Sequence, residues 1–189
     1  MGNCMTNLEQ DLARRLTELR RARGWPLEEL AEKTGISRAT LSRIERGDTS
    51  PTANVLGRLA GAFGLSMAEL FGAASGLAER HIPRASQTIW KDPETGFQRR
   101  ALTPAAGGYR GSVIEGCLPA GATVAYAAPP IPDLEHHLVL LEGSLRFTLG
   151  PDIYELAPGD ALRFHLNASN SYHASGDAPA RYILTVITP

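Results

Sequence analysis

The sequence of 189 residues predicts a two-domain protein, with an α-helical N-terminal domain followed by an antiparallel β-barrel. Up to about residue 72, apolar residues recur three and four positions apart, which is the period of amphipathic helices. From about residue 89, short apolar or alternating runs are separated by Gly, Pro and Asp, as in strands joined by tight turns. The stretch between them, GAASGLAERHIPRASQT, is small, polar and aperiodic. We therefore expect a helical domain at 7–72, a linker at 73–88 and a barrel at 89–189.

Composition predicts a globular protein that needs no disulfide or metal to hold its core. Hydrophobic residues make up 43% of the chain, and of its two cysteines Cys4 lies in the N-terminal stretch and Cys117 in the predicted barrel. This usage is typical of a reducing compartment. No apolar run approaches the roughly 18 residues of a membrane span, and the first residues lack the apolar region of a signal peptide. We therefore expect a cytoplasmic protein without membrane association.

The charge balance excludes a chain that binds polyanions over its whole surface. The net charge is −1, and residues 1–72 carry 10 Lys and Arg against 9 Asp and Glu. Any charge that attracts nucleic acid must therefore be local. Arg38, Arg43 and Arg46 form such a patch, because they share one face of a predicted helix that carries no carboxylate there.

The two central helices of the N-terminal domain are predicted from residues 24–51, GWPLEELAEKTGISRATLSRIERGDTSP. The first runs from about Leu27 to Thr34 and is ended by Gly35, because glycine takes positive φ without a steric clash. The second opens at Ser37, whose hydroxyl is placed to accept a backbone N–H at the helix start. It carries two apolar residues inward and stops at a glycine, namely Leu41, Ile44 and Gly47.

Three further helices complete the predicted bundle. Leucines at four-, four- and three-residue spacings predict a first helix that ends near Gly24. Ser50 and Pro51 predict the start of the fourth helix, as an N-cap followed by a proline at the first helical position. Ser66 and Glu69 form a capping-box signature that opens a short fifth helix.

These helices resemble the DNA-binding domain of the lambda-repressor/Cro-like (XRE) family. Ala31, Gly35 and Leu41 stand at the small-residue, turn and core positions of its helix-turn-helix, and SRATLSRIERG is close to its recognition-helix pattern. The resemblance covers about residues 8–72 and implies a five-helix lambda-repressor-like bundle that binds double-stranded DNA. In this family the pair that matches Arg20 and Glu45 commonly forms an ion pair, which we expect here.

The resemblance also implies which residues contact DNA. Its base-contacting positions match Arg38, Ala39 and Arg43, and arginine is the usual reader of guanine O6 and N7. The family often has Gln at the start of its second helix, where this chain has Leu27 and so lacks one phosphate contact. The alternative for the arginines is a solvated helix face. The expected DNA-binding residues are Ser37, Arg38, Ala39, Thr40, Ser42, Arg43, Arg46 and Thr49.

The C-terminal domain resembles the cupin superfamily. LVLLEGSLRFTLG matches the end of the first cupin motif and LAPGDALRF the start of the second, with turns predicted at 142–143, 150–151 and 158–160. The preceding IWKDPETGFQRRALTP is similar to sequences in regulators that join an XRE domain to a cupin. The resemblance implies a cupin barrel, a double-stranded β-helix, attached to a DNA-binding domain, and hence a sequence-specific transcriptional regulator.

The metal-ligand positions of cupin enzymes are poorly filled in this sequence. Where the family has three histidines and a glutamate, this chain places His136 in the glutamate slot, residues 129–132 in the His-x-His slots and Asn170 in the last histidine slot. We therefore expect no metal, no cofactor and no enzymatic activity. The alternative is a metal-dependent cupin enzyme with an autoregulatory DNA-binding domain, using a rearranged site of His136, His165 and His173.

Two further expectations concern partners. A single helix-turn-helix makes few base contacts, so such domains normally bind as dimers over half-sites about 34–36 Å apart. We expect the barrel to form that homodimer, and the final strand at 183–187 is apolar on both faces, as a core strand or an intermolecular strand would be. The barrel is also expected to sense a small-molecule effector, an anionic metabolite, in a pocket lined by Tyr126, His136, Arg146, Arg163 and Tyr172; solvated charges are the alternative for the two arginines.

Overall fold

A computed structural model describes residues 7–72 and 79–189, so Cys4 and part of the linker predicted at 73–88 lie outside the described residues. Five helices come first: α1 (Asn7–Ala22), α2 (Leu27–Thr34), α3 (Arg38–Glu45), α4 (Ala53–Phe63) and α5 (Met67–Phe71). Within residues 79–189, one 3-10 turn at Arg84–Ser86 precedes ten strands. These are β1 (Ile89–Lys91), β2 (Gln98–Thr103), β3 (Gly111–Leu118), β4 (Thr123–Tyr126), β5 (Leu134–Glu142), β6 (Leu145–Leu149), β7 (Asp152–Leu156), β8 (Ala161–Leu166), β9 (Asn170–Ala174) and β10 (Ala180–Ile187).

Local signals position the helix-turn-helix formed by α2 and α3. Gly35 ends α2 with φ of +62°, a left-handed conformation that glycine adopts without a Cβ clash, so the turn favours glycine. Ser37 caps α3, because its hydroxyl accepts the backbone N–H of Thr40 at 3.1 Å. Both features agree with the sequence. The helices bury one leucine-rich core against α1 and α4, made of Leu12, Leu16, Leu30, Leu41, Ile44, Leu56, Leu59 and Phe63.

The start of α4 differs from the prediction, whereas that of α5 agrees with it. Helix α4 begins after Thr52, whose hydroxyl accepts the backbone N–H of Val55 at 3.4 Å, and not at Ser50 and Pro51. Pro51 is instead buried ahead of the helix, which moves the capping position two residues along the chain. The capping box between Ser66 and Glu69 is present as predicted, with both of its reciprocal hydrogen bonds formed.

An ion pair fastens α1 to the recognition helix α3. The guanidinium of Arg20 donates through Nε and Nη2 to the two carboxylate oxygens of Glu45, at 2.7 and 2.8 Å. A third bond runs from Nη1 to the carbonyl of Trp25 at 2.7 Å. This two-pronged geometry confirms the ion pair expected from the sequence. It fixes the last turn of α3 relative to α1.

The C-terminal domain is a barrel of two facing antiparallel sheets, in agreement with the predicted cupin fold. One sheet has six strands in the order β1-β2-β3-β10-β5-β8, and the other has four in the order β4-β9-β6-β7. Turns are found at all three predicted positions, but only the one at 150–151 closes a hairpin, between β6 and β7. The predictions of hairpins at 142–143 and 158–160 were wrong, because these turns cross between the two sheets, from β5 to β6 and from β7 to β8. Alternate residues of the strands point between the sheets and bury a core that includes Leu118, Leu138, Leu140, Leu145, Phe147, Tyr172 and Tyr182.

The final strand is a central strand of this barrel. Residues of β10 pair with β3 along one edge and with β5 along the other, so both of its edges are hydrogen-bonded within the chain. Of the two interpretations of its apolar faces, the structure supports the core strand. Pairing of subunits by addition to the edge of β10 is thereby excluded.

The helical domain docks on one end of the barrel through α4 and α5. Nδ2 of Asn54 donates to the carbonyl of Ala125 at 3.3 Å. Gly57 faces the ring of Tyr126 so closely that a Cβ there would lie 2.8 Å from its Cδ1. Farther along, the ring centroids of Phe71 and Trp90 are 5.7 Å apart. The two domains therefore share a packed contact that contains both polar and aromatic groups.

We expect Glu45→Ala to lower the free energy of unfolding by about 3 kcal/mol, because it leaves the Arg20 guanidinium unpaired where little water reaches it. The two side chains are only 13% and 10% exposed. Urea unfolding followed by far-UV circular dichroism measures this loss. The control is Asp11→Ala, which removes an ion pair to Arg14 whose side chains are 58% and 68% exposed, and which should cost less than about 1 kcal/mol. Equal losses in the two variants would contradict the role given to Glu45.

Candidate DNA interface and ligand cavity

The exposed face of α3 carries side chains that were predicted from the sequence to contact DNA. Arg38, Ala39, Arg43 and Arg46 are exposed, as is Ser37 at the start of the helix. Leu41 and Ile44 face the core on the opposite side. Thr40, Ser42 and Thr49 are half-buried beside the arginines. The structure therefore places all eight nominated residues on or beside one helix surface.

The three arginines of this face differ in how they are held. Arg38 forms an ion pair with Glu28 of α2, a contact that the sequence analysis did not anticipate. Arg46 is held by Asp48, with Nε and the carboxylate oxygen 2.8 Å apart, and it also donates to the hydroxyl of Ser42. Within the described part of the chain, the guanidinium of Arg43 has no carboxylate partner. Arg43 is thus the arginine of this face that is free to form a new contact.

A second candidate site is a cavity of about 80 Å³ at the contact between the barrel and the helical domain. Its barrel walls include three of the five residues predicted for a ligand pocket, namely Tyr126, His136 and Tyr172. Helices α4 and α5 close its remaining side with Gly57 and with residues 66–68. The cavity is therefore an interdomain cavity, not one enclosed by the barrel alone.

The other two predicted pocket residues, Arg146 and Arg163, do not line the cavity. Arg146 is half-exposed and its Nε lies 2.6 Å from Oε1 of Glu155 on the neighbouring strand. Arg163 is exposed and lies opposite His137 in the register of β5 and β8. Both occupy the outward phase of their strands, because side chains alternate between the two faces of a sheet. For these two arginines the solvated alternative is correct.

Two cavity residues were missed as pocket residues by the sequence analysis. Arg99 of β2 lines the cavity with only 6% of its surface exposed, although it was not selected. Asn170 of β9, considered only as an empty metal-ligand slot, is also 6% exposed and lines the same space. The alternation of apolar residues along the strand could have identified Arg99 as an inward-facing residue. Phe97 and Ala101 flank it at two-residue spacing and are buried on the same side.

The protonation states in the cavity follow from burial. Burial lowers the pKa of His136 to about 4, so its imidazole is neutral near pH 7. Burial raises the pKa of Tyr126 to about 12 and also raises the pKa values of Tyr172 and Tyr182, so all three hydroxyls stay neutral. Burial lowers the pKa of Arg99 only to about 10, which leaves its guanidinium charged. The cavity therefore contains one cation among neutral polar groups.

The histidines of the alternative metal site are not assembled into one. Among residues 7–72 and 79–189, no group of three or more His, Cys, Asp or Glu side chains is placed to share a metal ion. His136 is buried in the cavity, whereas His165 is exposed. His173 instead contacts Thr123, with its Nδ1 2.9 Å from the hydroxyl oxygen.

Comparison with known proteins identifies relatives of the helical domain. Residues 16–70 match the HTH_3 helix-turn-helix family. The HTH-type transcriptional regulator DdrOP3 of Deinococcus deserti is 33% identical over 96 residues, which cover 49% of this chain and 72% of that protein. The chain belongs to the helix-turn-helix family of transcriptional regulators. A second relative of this regulator is the HTH-type transcriptional regulator SutR of Escherichia coli, 24% identical over 184 residues that cover 94% of this chain and 95% of SutR.

Solved structures support the same architecture for this helix-turn-helix regulator. An HTH_3 family transcriptional regulator from Vibrio cholerae superposes with a TM-score of 0.78 at 24% identity, covering 96% of this chain and 97% of that one. Iron(II)-bound HppE has a TM-score of 0.51 at 16% identity and covers 96% and 100% of the two chains, so it shares the fold alone. The fold is thus an XRE-type helix-turn-helix bundle joined to a cupin barrel. No helix in the described ranges is long and apolar enough to cross a bilayer.

The buried His136 predicts a pH-dependent stability of this regulator. Its pKa is about 4 in the folded protein and 6.5 for the ordinary side chain, so between these values the unfolded chain binds a proton that the folded protein does not. The free energy of unfolding therefore falls as pH falls through this window, by up to about 1.4 kcal/mol per pH unit. We expect His136→Gln to flatten this part of the profile, measured by urea unfolding at pH 4 to 6.5.

The matched control for this measurement is His165→Gln, which removes an exposed histidine from β8. This variant should keep the slope of the parent protein, because it leaves the buried His136 in place. A His136→Gln profile as steep as that of the parent would contradict the assignment.

Proposed function

We propose that this helix-turn-helix regulator binds operator DNA as a homodimer through α3, and that its cupin domain forms the dimer and senses a small molecule. The observation that carries the DNA proposal is the exposed Arg43 of α3, whose guanidinium has no carboxylate partner among the described residues, whereas Arg38 and Arg46 beside it are paired. Such a protein acts in the cytoplasm, where its operator lies. The family membership supports DNA binding, and the contacts below are the proposal.

Arg43 is proposed to read a base edge in the major groove. The groove accepts an α-helix, and a guanidinium there bonds both O6 and N7 of guanine. Arg38 is proposed to do the same after leaving Glu28, since the ion pair is 65% and 61% exposed and therefore weak. The methyl group of Ala39 is placed to contact a thymine methyl.

The remaining polar side chains of the face are proposed to bind the DNA backbone. Ser37, Thr40 and Ser42 offer hydroxyl groups around the exposed face of α3, and Arg46 and Thr49 follow at its end. Phosphate contacts of this kind fix the register of a protein on the duplex but carry no sequence information. The Arg46–Asp48 contact holds the Arg46 guanidinium at the end of the helix, where the backbone would pass.

The outer face of the six-stranded sheet is proposed to form the homodimer. It carries an apolar strip of Val113, Val139, Ile183 and Ile187, in which Val139 and Ile183 are direct cross-strand partners. Val139 is 36% exposed, so the centre of the strip is open to a partner. Arg181 beside the strip is paired within the subunit, because it binds both Glu115 and Glu142. A two-fold contact can therefore bury the strip without separating Arg181 from its carboxylates.

We propose that the barrel acts as a sensor and not as an enzyme. The support is the chemistry of the cavity, which gathers a cation, neutral hydroxyls and an imidazole but, among its described lining, no carboxylate to pair with them as a general base. The histidines required by the metal-dependent alternative are apart, as described above. A stoichiometric metal with turnover of a substrate would overturn this choice.

We expect Arg43→Ala to weaken binding to the selected operator by about 1–3 kcal/mol and to relax the preference at one base position. The operator is obtained by in vitro selection from random duplex DNA, and affinities are measured by fluorescence anisotropy at fixed salt. Arg146→Ala is the control, because it also removes one exposed positive charge but lies on the barrel, and it should leave affinity unchanged. An equal loss on operator and random DNA would reassign Arg43 to a phosphate contact.

We expect Val139→Glu to convert the dimer into monomers, because a carboxylate at the centre of an apolar two-fold contact is desolvated next to its own copy. Light scattering after size exclusion measures the mass, and operator affinity should fall by at least about tenfold with the loss of the second head. Ile153→Glu is the control: Ile153 is 63% exposed on β7 of the other sheet, and its variant should stay dimeric. A dimeric Val139→Glu protein would exclude this face.

A further inference from the structure

The interdomain cavity is distinguished by a buried cation that lacks a counter-ion. Arg99 projects into it from β2 and is 6% exposed. Its guanidinium stacks over the ring of Phe71 at 5.1 Å, and within the described part of the chain it forms no salt bridge and donates no hydrogen bond. A charge in such a place is unfavourable unless something pairs with it.

Two more polar groups in the cavity lack partners. Nδ1 of His136 and Nδ2 of Asn170 are fully buried and form no hydrogen bond with any described residue. Both residues line the same cavity as Arg99. Buried nitrogen atoms are rarely left unsatisfied in folded proteins, and a cluster of them in one cavity indicates a missing ligand. With the amide N–H of Asn170 and the guanidinium, the cavity offers donors to an anion.

The charge and shape of the cavity restrict that anion. None of the described residues that line it is Asp or Glu, so the cavity carries one net positive charge. The rest of the wall is aliphatic and aromatic, including Ile114, Leu134, Leu166 and Leu184. The volume of about 80 Å³ corresponds to roughly five to eight water positions, which suits only a short molecule. A planar guanidinium prefers the two oxygens of a carboxylate.

We propose that this cavity binds a short-chain monocarboxylate, with its carboxylate on Arg99 and its apolar tail against the barrel core. The proposal rests on the sensing role given to the barrel above and names the ligand class and the way in which it is read. The ligand touches both domains at once, because α4 and α5 supply the roof through Gly57 and residues 66–68. It therefore stabilises the docked arrangement of the DNA-binding domain, and only that arrangement.

The test of the ligand class uses butyrate as the probe and butyramide as its neutral isostere, on the full chain. Butyrate should raise the thermal midpoint and bind in calorimetry, whereas butyramide should do neither. Sulfate and phosphate form a third arm, and they should protect less than butyrate because they leave the apolar wall unfilled. Equal protection by butyramide, or protection by sulfate or phosphate alone, would overturn the proposal.

Variants of two adjacent arginines locate the site. Arg99→Met should weaken butyrate binding at least about tenfold, while Arg100→Met should not, because Arg100 is paired with Glu115 at 3.4 Å outside the cavity. Without ligand, Arg99→Met should be as stable as the parent or more so, since it replaces an unpaired buried charge by an apolar chain. A large loss of stability would show that Arg99 already has a partner. Arg99→Lys keeps the positive charge but loses the planar guanidinium that bonds both oxygens of a carboxylate. It should also bind butyrate at least about tenfold more weakly.

Variants of two glycines in α4 test whether the helical domain forms part of the ligand site. Gly57→Ala places a methyl group 2.8 Å from the ring of Tyr126 and should separate the domains, whereas Gly61→Ala meets its nearest neighbour at an ordinary 3.7 Å. We expect Gly57→Ala to lose butyrate affinity at least about tenfold and Gly61→Ala to keep it. Unchanged binding by Gly57→Ala would remove the helical domain from the site.

Operator binding separates this inference from the proposed function. Butyrate should change the operator affinity of the parent and of Gly61→Ala but not that of Arg99→Met, and operator DNA should change butyrate affinity by the same factor. Operator binding that persists in every variant without any response to butyrate would overturn the inference and leave the DNA-binding proposal intact. Failure of the unliganded parent protein to bind a selected operator would instead overturn the proposed function.

Discussion

The unpaired guanidinium of Arg99 is the constraint on which the arrangement of the two domains depends. A buried cation must find compensation, and here its nearest compensation is the ring of Phe71, which belongs to α5 of the other domain. The hydroxyl groups of Tyr126 and Tyr182 favour the charged form as well, but weakly, because burial still lowers the pKa of Arg99 to about 10. The barrel thus depends on the helical domain to cover its own cavity. If the cavity binds a carboxylate as proposed, docking of the domains and occupation of the cavity are parts of one equilibrium.

This docking reaches the recognition helix through contacts that are already formed. Gly57 on the roof and Arg58 are neighbours in α4, and Nε of Arg58 donates to the carbonyl of Thr34 at 2.7 Å, at the turn between α2 and α3. The other end of α3 is fastened to α1 by the Arg20–Glu45 pair. These contacts connect the position of α4 on the barrel to both ends of α3. In a dimer a change in that position alters the spacing of the two heads, which must match the half-sites.

Sequence patterns predicted those parts of the fold whose cause is local. The end of α2 at Gly35, the cap at Ser37 and the capping box of α5 each depend on a few neighbouring residues. The hairpin turn between β6 and β7 is likewise encoded beside the strands that it joins, whereas the turns at 142–143 and 158–160 cross between sheets, which the local pattern does not reveal. The prediction of where α4 begins was wrong because two possible N-caps, Ser50 and Thr52, stand two residues apart. The burial of Pro51 in the assembled core decides between them. Such burial is a tertiary property that the local pattern does not contain.

The ligand cavity was less predictable because its residues are selected by strand phase and by docking. Arg99 and Arg100 are consecutive in the sequence, yet one is buried in the cavity and the other is paired with Glu115 outside it. The assignment of Arg146 and Arg163 to the pocket was wrong for the same reason, since an arginine alone does not show which face of its strand it occupies. Hydrophobic alternation around Arg99 does assign its side chain to the inward face of β2, although this buries a charge. A position where the pattern requires burial and the residue is charged breaks a folding rule, and such violations are expected at functional sites. The misfit of Arg99 with its surroundings is therefore itself the signal for the site.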